Sequence, residues 1–138
     1  MIDDSLSRRI IVYASVSGAL GVALGAFGAH GLEGFLVQAG HDADTVTKHL
    51  GQFDVAVRYH MIHSVALLAL AAIPFGSPES RRWTCRLLLL GLALFSGSLY
   101  LLVASNVKWL GAITPIGGLC WIFAWLQLLL VARRSSST

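Results

Sequence analysis

Charged side chains are scarce in this sequence. Aspartate, glutamate, lysine and arginine make up only 12% of its 138 residues, about half of the roughly 25% usual in soluble domains. No nucleophile–base pair, phosphate-binding loop or paired intramembrane carboxylate stands in its apolar stretches. Nothing signals catalysis, and an enzyme is the least expected class. Cysteine is nearly absent: Cys85 and Cys120 stand alone in apolar runs. That excludes thiolate spacing for a metal or redox centre, and both read as small core residues.

What is abundant is hydrocarbon. Hydrophobic residues make up 56% of the chain and the mean hydropathy is +0.72. A soluble fold of this length could not hide so much apolar surface, so the bilayer is the expected solvent. Four apolar runs, 10–30, 55–75, 83–104 and 111–132, each approach the roughly 20 residues that cross the hydrocarbon core. The connectors "GSPESRR" and "SNVKWL" are tight turns, whereas 31–54 is longer and more polar. Tight turns make neighbours antiparallel, which predicts one all-α domain over 1–138, an integral membrane up-down four-helix bundle.

The net charge of +3 does not indicate a nucleic-acid partner, because the basic residues cluster beside apolar runs. With four spans, Arg8, Arg9, Arg81, Arg82, Arg86, Arg133 and Arg134 share one side, against Lys48, Arg58 and Lys108 on the other. The positive-inside rule then places both termini in the cytoplasm. "LSRRIIVYAS" resembles a twin-arginine export signal, but the apolar run exceeds a signal core and the rest of the chain is membrane-embedded, so no cleavage is expected. In the long connector, Asp44 is the expected cap of a helix from Thr45. Val46, Leu50, Phe53 and Val57 would share one face of it. That connector, 31–54, is partly helical, either lying on the membrane or extending the second span outward.

Small residues recur at helical spacing in the first run. Ala14, Gly18, Gly21, Gly25 and Gly28 follow 4-3-4-3 spacing, with Gly21 and Gly25 as a GxxxG pair. In lipid such a stripe marks a helix contact, to another span or to a second protomer. Ala93 and Gly97 offer a matching small face. In "AITPIGGLCW", Thr114 and Pro115 either start the fourth helix or kink it at Gly117 and Gly118.

The polar residues gather toward the connector side. His30 ends the first run, and His60 and His63 open the second, His63 roughly 10 Å below the surface. Ser96, Ser98 and Tyr100 follow in the third and Thr114 in the fourth. His60 and His63, three apart, share a face. Three readings stand: internal hydrogen bonding, a polar pocket, or a metal held by His30, His60 and His63 without a carboxylate companion. His30 and His63 are expected inside, near Tyr100 and the Thr114–Pro115 bend, with His60 reaching the interface beside Arg58. His41 and His49 are expected in solvent. Asp54 and Arg58 suit an i,i+4 pair.

"GALGVALGAFGAHGL", "YHMIHSVALL", "LFSGSLYLL" and "ITPIGG" resemble the transmembrane protein 256 family, whose bacterial members include the YgdD-like proteins. Nearly the whole chain is covered, in order. The matching positions are Gly25, Gly28, His30, Tyr59, His63, Ser96, Gly97, Ser98, Tyr100, Thr114, Pro115, Gly117 and Gly118. One position departs: the family pattern has Gln where this chain has His60. The resemblance implies a small four-span protein of the bacterial plasma membrane and brings no settled activity. The leading reading is a non-enzymatic accessory or assembly protein of the bilayer, partnered by its own copies or another membrane protein. The alternative is a binding or transport module using His30, Tyr59, His60, His63, Ser96, Ser98, Tyr100 and Thr114. No cofactor is expected.

Overall fold

A computed structural model describes residues 4–133, the side chains of Asp4 and Arg133 excepted; Arg134, counted in the charge argument, lies outside the described residues. Helix α1 spans Asp4–His30 and α2 spans Leu32–Gln38. The longest, α3, covers Ala43–Ala72, followed by α4 at Pro78–Gly91. A wide-turned π segment, Leu92–Gly97, joins α4 to α5 at Ser98–Ser105. A 3-10 turn, Lys108–Ala112, then leads into α6 at Thr114–Arg133. The described residues contain no strand. Four stretches are long and apolar enough to cross a membrane: Ser5–His30, Ala43–Ala72, Pro78–Ser105 and Lys108–Ala132. The fold is an all-α bundle in which α1 packs on α3, α3 on the π segment and α5, and α4 on α6.

The second half of the long connector is helical, as the start of α3. The 30 residues of this helix extend about 45 Å, against roughly 30 Å of hydrocarbon, so α3 is longer than one crossing needs. Its cap is Asp42 rather than the expected Asp44. Asp42 Oδ1 accepts from the Thr45 backbone N–H at 2.9 Å, and Oδ2 from the Thr45 hydroxyl at 2.9 Å. Those bonds favour the ionised form and hold the Asp42 carboxyl below the usual carboxylate range. The face of Val46 and Phe53 is buried in the protein, not laid on lipid. At the other end of α3, Gly76 makes the turn into α4 with φ +91°, a left-handed conformation that favours glycine.

Two apolar clusters hold the bundle. One, toward the chain termini, joins Ile10, Leu67, Leu70, Leu88, Trp121 and Ala124. The other, toward the connectors, joins Leu32, Leu36, Val46, Phe53, Leu102 and Val103. Burying apolar surface gains little where lipid is equally apolar, so close packing and hydrogen bonds must carry the association. The glycines of α1 provide the first. A Cβ at Gly21 would meet the sulfur of Met61, one at Gly25 would lie 3.3 Å from Val57 Cγ1, and one at Gly28 would lie 2.9 Å from the Phe53 ring. The stripe therefore faces α3 of the same chain and not the small residues of the third span; Ala93 is exposed. Gly18 would meet nothing within 4 Å.

Arg81, read from sequence only as a boundary charge, is 3% exposed. Its Nη2 donates to the carbonyls of Leu70 and Ala71 at 3.2 Å each and to Ser7 Oγ at 3.0 Å. These carbonyls end α3 and have no partner within the helix. One guanidinium thus ties α1, α3 and α4 together.

Candidate functional site

Between the two apolar clusters runs a layer of polar side chains. His60 lies 17 residues into α3 from Ala43 and 12 before Ala72, about 26 Å and 18 Å from the two ends. The layer is therefore mid-bundle, deeper than the connector-side site the sequence suggests. His60 is 3% exposed and does not reach the interface. Its Nε2 lies 2.9 Å from the Ser17 carbonyl and 3.1 Å from Ser17 Oγ, while Nδ1 lies 3.1 Å from the Tyr100 hydroxyl. A carbonyl only accepts, so Nε2 carries the proton and Nδ1 accepts from Tyr100. Ser64 Oγ donates to the His60 carbonyl at 2.9 Å, which leaves Ser17 to donate to Ser64 across 2.6 Å. The result is a closed ring of donors and acceptors joining α1, α3 and α5.

His63 is also buried but belongs to a different group. Nδ1 lies 2.8 Å from the Tyr59 carbonyl and therefore donates; Nε2 accepts from Trp125 Nε1 at 3.3 Å. The imidazole stacks on the Trp121 indole at 3.7 Å between centroids and 3° between planes. Tyr59, on the exposed edge, stacks on the same indole at 5.8 Å. Trp121 in turn donates to the Leu88 carbonyl at 3.1 Å, just before the π segment. The two histidines thus carry opposite tautomers and face different helices, His60 toward α1 and His63 toward α6. His63 is not the partner of Tyr100.

The remaining polar residues make separate bridges. Ser96 Oγ donates to the Ala56 carbonyl at 2.9 Å, joining the π segment to α3. Ser98 donates to the Phe95 carbonyl at 3.0 Å and lies 2.8 Å from Thr114 Oγ1, which must then be the donor. His30 is exposed at the end of α1, not turned inward, because the helix ends there with the ring outside the packed face. His30, His60 and His63 are not brought together. Among the described residues no group of three or more histidine, cysteine, aspartate or glutamate side chains is placed to hold a metal. Asp54 and Arg58 pair at 2.6 Å with both side chains more than 60% exposed, a contact worth only a few tenths of a kcal/mol.

Sequence reasoning missed Ser17, because Ser5, Ser7 and Ser15 share its helix and nothing marks one of the four without its partner. It also missed Arg81 and His49. His49 is 3% exposed, edge-on to His41 at 5.4 Å; three residues after Val46 and four before Phe53, it shares their buried face of α3. Arg81 was masked by the arginine beside it.

Residues 24–118 match a family described as proteins of unknown function (DUF423). The chain is 39% identical to a UPF0382 membrane protein of Staphylococcus haemolyticus, covering 89% of this chain and 93% of that one. It is 37% identical to the UPF0382 membrane protein YwdK of Bacillus subtilis, covering 92% and 98%. It is 34% identical to the UPF0382 inner membrane protein YgdD of Escherichia coli, covering 93% and 92%. No solved structure matches. With the family model across most of the chain and relatives matched nearly end to end, this multi-pass membrane protein belongs to the DUF423 family, the YgdD-like proteins its motifs resemble.

Proposed function

We propose that the protein is a non-enzymatic accessory or assembly component of the bacterial plasma membrane, and that its polar layer serves helix packing. One observation carries this reading: the layer is closed on itself. Both nitrogens of His60 and both of His63 are engaged within the chain. Among the described residues, the buried side-chain nitrogen and oxygen atoms without partners belong to His49, Gln52 and Arg81, none of them in this layer. A catalytic or ligand pocket needs an open donor or acceptor, and these histidines offer none. What the chain does present outward is apolar: only 22% of the most apolar stretch of α1, and the same share of the last span, is buried.

Site-specific photocrosslinking in membranes tests the assembly role, with a benzophenone side chain at Phe123 or Val12, both well exposed. A discrete protein adduct of one size from either face is expected; lipid adducts alone from both faces would refute the reading. The packing role has its own test. His60→Leu is expected to lower stability by about 1–2 kcal/mol, because Tyr100 and the Ser17 carbonyl lose partners in a dry layer. His60→Gln, which keeps a donor and an acceptor, should recover most of that loss. Equal unfolding of the two variants in detergent would show that the hydrogen bonds do not matter.

The positive-inside argument supports cytoplasmic termini, resting on Arg8, Arg9, Arg81, Arg82 and Arg86 on that side within the described residues. A single cysteine at Ser77, in a chain lacking Cys85 and Cys120, should resist impermeant thiol reagents in intact cells. Rapid labelling there would invert the topology.

A further inference from the structure

Where α3 projects beyond the polar layer, its first turns and the 3-10 turn enclose a cavity of about 300 Å³. Lys48, His49 and Gln52 of α3 line one side, and Asn106 and Lys108 the other; no carboxylate lines it. His49 is buried, yet its Nδ1 has no hydrogen-bond partner. Gln52, three residues on and so on the same helix face, buries an Oε1 that accepts from nothing. Buried polar atoms are nearly always satisfied, so two orphans side by side on one cavity wall call for a partner from outside the chain. Neither Lys48 nor Lys108 has an ion-pair partner among the described residues. The cavity therefore combines two uncompensated cations with an acceptor that needs a proton and an imidazole nitrogen that can take either role.

We propose that this cavity binds a phosphate group carrying a protonated oxygen, as in inorganic phosphate or a phosphate monoester. Hydrogen phosphate brings two negative charges for the lysines together with an O–H donor for Gln52 near neutral pH, and the monoanion of a monoester brings one charge with the same donor. Carboxylate brings one charge and no donor. Sulfate brings two charges and no donor. The group arrives either as a soluble phosphate or as the headgroup of a monoester lipid such as phosphatidic acid. This site stands apart from the histidine layer, and its test does not depend on the reading of that layer.

The experiment uses the full chain in nanodiscs of phosphatidylcholine, whose phosphodiester has no O–H to offer. Calorimetric titration with inorganic phosphate is expected to saturate, and sulfate should bind at least about tenfold more weakly, because it leaves Gln52 unpaired. Lys48→Gln and Lys108→Gln, at exposed positions that leave the fold intact by unfolding midpoint, should each weaken phosphate about tenfold. Phosphatidic acid added to the nanodiscs distinguishes the sources. If it competes with phosphate, the lipid headgroup is the natural occupant; if it does not, the occupant is a soluble phosphate. Absence of saturation at tens of millimolar phosphate overturns the proposal. Sulfate binding as tightly as phosphate, or lysine variants that bind like the parent, overturns it equally.

Discussion

Arg81→Met is expected to lower the unfolding free energy by about 2–4 kcal/mol, among the larger losses from a single substitution in this chain. The charge of Arg81 has no carboxylate partner among the described residues. It sits instead against the carbonyl end of α3, where the helix dipole is negative. Methionine fills similar volume but donates nothing. The Leu70 and Ala71 carbonyls and the Ser7 hydroxyl would each lose a donor, at about 1–3 kcal/mol for a buried group and less where water can enter from the nearby membrane boundary. Arg81→Lys should fall between, since one ammonium keeps the charge without the planar fork that reaches several acceptors. Denaturant unfolding in bicelles, followed by circular dichroism, reads the difference. A loss under about 0.5 kcal/mol for Arg81→Met, the range of ordinary surface changes, would show that water takes over the cap.

The fold was legible because bilayer physics writes it into composition. Runs long enough to span, and tight connectors between three of them, leave few arrangements. The glycine stripe was legible as a contact face for the same reason, since only small residues let helices approach in lipid. Its partner was not, because spacing along α1 says nothing about which neighbour supplies Met61, Val57 and Phe53. The polar layer was half legible. Each histidine and serine is conspicuous in an apolar run, but a three-residue spacing fixes a shared face only to about 60° of helix rotation. That remainder sends His60 to α1 and His63 to α6. The π segment was illegible, because Leu92–Gly97 reads as ordinary helix; only the contacts of its widened turn reveal it.

That segment sets up the sharpest contrast available in the chain, between the neighbours Gly117 and Gly118. A Cβ at Gly117 would run into the Phe95 amide nitrogen and the Leu94 carbonyl carbon, 2.7 Å from the latter. These are backbone atoms of the π segment and cannot rotate away, so α6 would have to move off it. The same movement would stretch the Ser98–Thr114 bond at 2.8 Å and disturb the Trp121 donation to Leu88 one turn further along. Gly117→Ala is therefore expected to cost about 1–3 kcal/mol or more. At Gly118 a Cβ would lie 3.8 Å from the edge of the Phe95 ring, an ordinary contact. There alanine removes a helix glycine without a clash and should be neutral or stabilising by up to about 1 kcal/mol. Two adjacent, chemically identical substitutions should thus differ in the unfolding midpoint, with a fall at Gly117 and none at Gly118. Composition and helix propensity treat the two positions alike, so only the close approach of α6 to the π segment can separate them. Equal shifts would mean that the two helices do not meet at Gly117.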